Sequence, residues 1–91
     1  MNKKIAVIVP AYNEELLIEK TINSIPNRVD KIFVINDASK DNTKQVVEDL
    51  MSNNDKVILV NLEKNSGVGS AIVTGYKKAY DLNYDIGVVM P

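Results

Sequence analysis

Four runs of β-branched and other apolar residues punctuate the chain: Ile5–Val9, Ile32–Ile35, Val57–Leu62 and Ile86–Met90. Apolar positions follow one another in each run almost without a polar break. That pattern predicts strands covered on both faces, as in a parallel sheet, because a strand with one wet face alternates. Three segments with helical spacing lie between the runs. Leu17, Ile18, Thr21, Ile22 and Ile25 make the first stripe, with Asn13 placed to cap it, Glu14 and Glu15 in its first turn and Pro26 to end it. Thr43, Val46, Val47, Leu50 and Met51 make the second, started by Ser39 or Asp41. Val68, Ile72, Tyr76, Ala79 and Tyr80 make the third. Gly75 sits inside that third stripe, where glycine costs about 0.5–1 kcal/mol against alanine, and we read it as letting the helix come close to the sheet. The order β-α-β-α-β-α-β with right-handed crossovers predicts a Rossmann-like, three-layer α/β/α fold around a mostly parallel sheet.

In such a sheet the loops at the carboxyl ends of the strands lie side by side and form the rim of a crevice. Two of them carry candidate chemistry. Pro10-Ala11-Tyr12-Asn13-Glu14 closes the first run, and Asn36-Asp37-Ala38-Ser39-Lys40-Asp41-Asn42-Thr43 closes the second. Tyr12 can lie flat at the crevice mouth and stack on a base, which by analogy is worth about 1–3 kcal/mol, or it can pack on a neighbouring loop. Asp37 can accept from the imide N–H of a uracil, or from the N1–H and N2 amine of a guanine, or it can bond its own turn. Glu14 either lines a donor site or complements a helix N-terminus. Asp41, Asn42 and Thr43 are accounted for by capping the second helix.

After the third run, Asn65-Ser66-Gly67-Val68-Gly69-Ser70-Ala71 opens the third helix. Its glycines allow close backbone approach, and a helix N-terminus can receive a phosphate or polar ligand group; a glycine-rich turn with good capping is the alternative. It is not a dinucleotide fingerprint, which belongs after the first strand, and no Gly-Lys-Ser/Thr makes it a P-loop. Tyr76, Tyr80 and Tyr84 read as packing residues, and Lys77 with Lys78 as a solvated helix face.

Composition narrows the picture. The chain has 91 residues, 45% of them hydrophobic, enough for one small domain or a piece of a larger one. A net charge of −1 gives no electrostatic case for nucleic acid or an anionic membrane. With no cysteine and no histidine there is no disulfide framework, no thiolate metal site and no histidine base. No segment has the length of a signal core or of the roughly 20-residue apolar stretch that spans a membrane, so a cytoplasmic chain is expected. No pair of acids is placed for acid–base work, and a metal site would need a further carboxylate from beyond Pro91.

Taken together, Ile8-Val9-Pro10-Ala11-Tyr12-Asn13-Glu14-Glu15, Val34-Ile35-Asn36-Asp37-Ala38-Ser39-Lys40-Asp41-Asn42-Thr43, Asn65-Ser66-Gly67-Val68-Gly69-Ser70-Ala71 and the run Asp85–Met90 resemble, in order and spacing, the inverting family 2 glycosyltransferases with a GT-A fold. Gly75-Tyr76-Lys77 is similar to the dolichyl-phosphate-mannose-synthase-like branch. The resemblance implies sugar transfer from a UDP- or GDP-linked donor to an acceptor hydroxyl, aided by Mg²⁺ or Mn²⁺ in the full-length enzyme, with none bound by this chain alone. It implies that Pro10, Tyr12 and Glu14 line the nucleoside pocket, that Asp37 binds the base, and that the turn with Asn65, Gly67 and Gly69 borders the ribose and diphosphate. The turn lacks the lysine or arginine many members carry there, although Lys64 is adjacent. In the family an Asp-x-Asp metal motif follows the fourth strand, and here Pro91 comes first. Residues 1–91 are therefore expected to be the N-terminal, nucleotide-binding part of a GT-A domain, inactive alone, with catalytic base, acceptor site and any attachment to the cytoplasmic face of the membrane encoded downstream. Two other readings are a sugar-nucleotidyltransferase-like fragment, which should carry a glycine-rich basic loop where Pro10–Glu14 stands, and an inactive α/β domain that self-associates. For a strand order 3-2-1-4 the last strand leaves an open edge, from which a homo-oligomer is expected.

Overall fold

All four apolar runs become strands, the first two longer than their runs and the third one residue shorter. In the computed structural model, which describes residues 3–89, the elements are β1 (Ile5–Ala11), α1 (Ile18–Asn23), β2 (Lys31–Asn36), α2 (Thr43–Met51), β3 (Val57–Asn61), α3 (Val68–Asp81) and β4 (Ile86–Val89). Met90, placed in the fourth run by its apolarity, lies outside the described residues. The strands form one sheet in the order β3-β2-β1-β4, every pair parallel. Val7 faces Ile32 across β1 and β2, and Ile8 faces Val89 across β1 and β4. The chain moves outward from β1 to β2 to β3, then α3 carries it back across the sheet to the far side of β1. With right-handed crossovers that reversal puts α3 on the face opposite α1 and α2, which yields the three layers.

Alternate residues of the strands feed the two interfaces. Val7, Val9, Ile32, Val34 and Val57 point to one core with Ile18, Ile22 and Ile25 of the α1 segment and Val47 of α2. Ala6, Ile8, Phe33 and Ile35 point to the other, with Ala71 and Ala79 of α3. Tyr84, just before β4, meets Phe33 edge-to-face at a centroid distance of 5.7 Å and an interplanar angle of 83°, a favourable aromatic geometry. Burial there, with a contribution from the negative charge of Asp30, pushes the Tyr84 phenol above its ordinary value. The amino end of β1 is fastened by two acids: Asp30 Oδ2 accepts from Ile5 N (2.7 Å) and Asp85 Oδ2 from Lys4 N (2.8 Å).

Two sequence expectations need correction. Asn13 does not cap α1. It takes a left-handed φ of 54°, the helix starts only at Ile18, and Glu14 and Glu15 precede it, with the Glu14 carbonyl accepting from Leu17 N and Ile18 N. A cap needs extended dihedrals, and the side chain of Asn13 is used elsewhere. The buried stripe of α3 is also not the large-residue one. Ala71, Gly75 and Ala79 face the sheet, whereas Val68 and Tyr76 are exposed and Tyr80 is 80% exposed. The reason is distance: a Cβ on Gly75 would overlap Ile8 Cγ2 and stand 2.8 Å from Ile8 Cγ1. Only small residues permit so close an approach, and the reading of Gly75 as the residue that allows it holds. The Tyr76 ring lies beside Gly87 of β4, where an added Cβ would come 2.7 Å from Tyr76 Cε1.

Gly75→Ala is expected to destabilise the fold by about 1–3 kcal/mol through overpacking against Ile8. Gly69→Ala, in the same helix with open space around it, should be neutral or stabilise by up to about 1 kcal/mol. Urea denaturation of the two variants side by side checks this, and equal effects would refute the close-approach account.

Candidate functional site

The reversal of chain direction falls between β1 and β4, and in open α/β sheets ligands sit at such a point beyond the carboxyl ends of the strands. A cavity of about 210 Å³ lies there. Pro10 and Ala11 at the end of β1, Tyr12 and Glu14 of the β1–α1 loop, Asp37 just after β2, and Val68 and Ala71 of α3 line it. The fold thus brings together four of the residues singled out in the sequence: Pro10, Tyr12, Glu14 and Asp37. Tyr12 stands at the mouth, 40% exposed. Asn65, Gly67 and Gly69 belong to the adjoining turn and first turn of α3 rather than to the lining. Gly67, with φ of 90°, supplies the left-handed step into the helix, and no side chain caps α3.

Asp37 is the centre of the arrangement. It is 3% exposed, and a buried carboxylate needs hydrogen-bond donors. The β3–α3 turn provides them. Oδ1 accepts from Ser66 N (2.8 Å) and Ser66 Oγ (3.1 Å), and Oδ2 accepts from Gly67 N (2.9 Å). Asn65 Nδ2 adds a long bond of 3.5 Å to the Asp37 carbonyl. At the base of the same loops, Asn36 Nδ2 donates to Asn61 Oδ1 (2.9 Å), and Asn36 Oδ1 accepts from Ser39 N (3.2 Å). Sequence reasoning named the turn but missed Ser66 as its key member, and missed Ala11, Val68 and Ala71 as cavity walls. A serine just ahead of a glycine that opens a helix is the one local signal pointing to Ser66; the other three are apolar residues of ordinary strand or helix pattern.

A second polar cluster joins the first two loops. The Thr43 hydroxyl accepts from Glu14 N (2.8 Å) and donates to Asp41 Oδ1. Asp41 Oδ1 also accepts from Thr43 N (2.9 Å), and its Oδ2 from Glu15 N (3.2 Å). Asn13 completes the stitching: its N–H donates to Ser39 Oγ (3.0 Å) and its Oδ1 accepts from Lys40 N (2.8 Å). The cap position of α2 is Asn42, not Ser39 or Asp41, and its side chain makes no cap bond; of these bonds only that from Thr43 N to Asp41 serves the start of the helix. The others hold Glu14 and Tyr12 in place across the crevice rim. Among the described residues no three His, Cys, Asp or Glu side chains come together to hold a metal ion. Of the two acids on the cavity, Asp37 already serves the turn. No helix among the described residues is long and apolar enough to cross a membrane.

Partial desolvation alone would raise the Asp41 carboxyl, but hydrogen bonds from the Thr43 hydroxyl, Thr43 N and Glu15 N outweigh it and hold the group below its usual 3.8. A carboxyl depressed in the fold stabilises it above the unfolded-state pKa, and that contribution is lost as pH falls through the folded-state value. Asp41→Asn should therefore unfold at lower urea than the parent near pH 7, with the gap narrowing as pH falls below 3.8. A gap of constant size across that range would count against the assignment.

Comparison with known proteins places this geometry in context. The profile of Glycosyl transferase family 2 matches residues 6–82. A UDP-N-acetylglucosamine–dolichyl-phosphate N-acetylglucosaminyltransferase of Methanococcus voltae is 42% identical over 96% of this chain and 40% of its own length. Dolichyl-phosphate beta-glucosyltransferase ALG5A of Trichomonas vaginalis is 35% identical over 78% of this chain and 25% of its own. Among solved structures, S. aureus TarS in complex with UDP superposes with a TM-score of 0.76 at 30% identity, covering 94% of this chain and 27% of that one. The mannosyltransferase PcManGT of Pyrobaculum calidifontis, in complex with GDP-Man and Mn²⁺, gives 0.75 at 26% identity over 87% of this chain and 25% of that one. The chain thus spans well under half the length of these relatives. With a profile match across nearly all of its strands and helices and the fold to go with it, the chain belongs to glycosyltransferase family 2.

Proposed function

We propose that residues 1–91 form the donor-nucleotide seat of an enzyme that transfers a sugar from a UDP- or GDP-linked donor to an acceptor hydroxyl. The observation that carries this reading is the cavity at the carboxyl ends of β1 and β2, where Pro10, Tyr12, Glu14 and Asp37 converge at the reversal point of a family 2 chain. Tyr12 offers its ring to the base at the mouth, and Asp37 offers a carboxylate oxygen to a base N–H. The turn of Asn65, Gly67 and Gly69 runs on towards the ribose and diphosphate. The Thr43–Asp41 cluster acts on Glu14 and Tyr12 by fixing the loop that carries them. The sugar-nucleotidyltransferase alternative has little to support it: Pro10–Glu14 contains no glycine and no basic residue to grip a triphosphate.

A divalent metal, Mg²⁺ or Mn²⁺, supplies charge neutralisation at a departing diphosphate when it is bound. The described residues offer it no ligand set, so we assign its ligands, the catalytic base and the acceptor site to other parts of a GT-A domain. The relatives' greater length supports this division. The last strand supports a further element of the proposal. β4 pairs with β1 on one side and with no described strand on the other, with the exposed Tyr80 and half-exposed Tyr76 on the neighbouring helix. An apolar strand edge of this kind invites pairing with a second copy.

Calorimetric titration with UDP and GDP tests the seat. Tyr12→Ala should weaken the bound nucleotide roughly 5- to 100-fold, the size of one lost base–aromatic stack, and an unchanged affinity would remove Tyr12 from the site. The purified 91-residue chain should transfer no sugar, and measurable transfer would overturn the division of labour. Light scattering at high concentration should give the mass of a dimer or larger; a monomer would refute pairing through β4.

A further inference from the structure

Among the described residues three that are not glycine take a positive φ: Asn13 at 54°, Ala38 at 59° and Asn83 at 66°. Asparagine tolerates the left-handed region better than most residues, because its short polar side chain can bond locally. Ala38 has no such side chain, and its Cβ crowds the backbone there. Alanine keeps that conformation only where its surroundings hold it. Here they do so from both sides. Asp37 N donates to the Ala11 carbonyl (2.8 Å), which fixes the chain entering the step to the end of β1. Beyond the step, Ser39 N donates to Asn36 Oδ1 (3.2 Å) and Lys40 N to Asn13 Oδ1 (2.8 Å), while Ser39 Oγ accepts from Asn13 N (3.0 Å). Asn36 is itself held, its Nδ2 donating to Asn61 Oδ1 (2.9 Å). We propose that Ala38 is a positioning residue for the nucleotide seat: a strained left-handed step, kept in place by Asn13, that sets where the loop carrying Tyr12 stands relative to Asp37. The proposal rests on the donor-nucleotide reading of the cavity and adds the residue that arranges it.

The step decides which way the chain leaves β2. A change of sign at the Ala38 φ carries Ser39 and Lys40 away from Asn13, while Asp37 stays bonded to β1 and to the turn before α3. Asn13 follows Tyr12 directly, and the bonds it makes with Ser39 and Lys40 are lost with the step. The bonds at Thr43 and Asp41 hold Glu14 and Glu15, further along the loop, and leave this step untouched. The rim thus has a stitched form and a released form, and a nucleotide held between Tyr12 and Asp37 fits the stitched one. Without support, the left-handed form is disfavoured for alanine by a factor of roughly 5–30. Glycine populates it about as readily as the right-handed form. Apparent affinity falls with the fraction of chains in the competent form. Losing the Asn13 clamp beside an alanine therefore weakens binding roughly 5- to 30-fold, and beside a glycine only about two- to threefold.

Urea denaturation and calorimetric titration with UDP and GDP, run on the intact 91-residue chain and its variants, test this. Ala38→Gly should raise the urea midpoint, because relief of the left-handed strain exceeds the usual cost of a loop glycine. A lowered midpoint, the ordinary effect of glycine on the unfolded chain, means that no strain is stored and overturns the proposal. Asn13→Gly keeps the left-handed backbone and removes Oδ1. It should weaken whichever nucleotide the parent binds roughly 5- to 30-fold, and UDP and GDP by the same factor where both bind, because the loop is arranged before any base is read. Asn13→Asp, which retains an acceptor oxygen, should lose no more than about threefold. Combining Asn13→Gly with Ala38→Gly should bring affinity back to within about threefold of the parent. Recovery across the rim is a reading that a general loss of stability does not give. A double variant no better than Asn13→Gly, or an Asn13→Gly chain with parental affinity, overturns the positioning role and leaves the seat standing. Absence of saturable binding of either nucleotide by the parent overturns the seat and this inference together. If Asn13→Gly does not fold, the sign of the Ala38→Gly midpoint decides alone.

Discussion

A carboxylate enclosed by protein must find donors or lose its charge, and the position of Asp37 makes that requirement the organising constraint of the crevice. Asp37 follows β2 directly, deep between β1 and α3, and the donors that meet it come from the turn after β3. The turn is therefore not a free glycine-rich loop waiting for a ligand. It is held to the end of β2, and α3, which begins at Val68, starts from a fixed point. The cavity wall made by Val68 and Ala71 is a consequence, since both ride on the helix that this contact anchors.

The same economy governs the other side of the crevice. Thr43 is fully buried at the start of α2, and its hydroxyl links the β1–α1 loop to Asp41 by accepting from one and donating to the other. Asn13 adopts the left-handed conformation that asparagine tolerates better than most residues and places its side chain amide oxygen on Lys40 N. These bonds run between loops far apart in sequence and close in space. They turn two short connections into one rim, on which Tyr12 and Glu14 have defined positions. A ligand bound at this rim would not first have to order the loops.

Much of this was legible beforehand, and the parts that were not share a cause. The strands announced themselves through near-continuous apolar runs such as Ile32–Ile35, because burial on both faces leaves no room for polar residues. Helix α2 could be read from its spacing, and Gly75 from its presence in a helix where alanine would otherwise be preferred. The Pro10–Glu14 and Asn36–Thr43 turns stood out because strand-to-helix connections at a carboxyl edge are where α/β sheets place ligands. The face of α3 was misread because hydrophobicity was taken as a proxy for burial. The helix lies so close to Ile8 that only Ala71, Gly75 and Ala79 fit beneath it, and the larger Val68, Tyr76 and Tyr80 are turned outward.

Local pattern by itself determined the order of elements, their parallel arrangement, the placement of Tyr12 and Asp37 on neighbouring loops, and family-like motifs in three blocks. Each depends on residues within one turn or one strand of each other. What only tertiary structure decided was pairing at long range: that Asp37 would spend three acceptor positions on Ser66 and Gly67, some thirty residues on, that Thr43 would serve Glu14 as well as its own helix, and that small residues would line the inner face of α3. The physical reason is that hydrogen-bond satisfaction and close packing are set by distance in space, and only the folded sheet brings the ends of β1, β2 and β3 together.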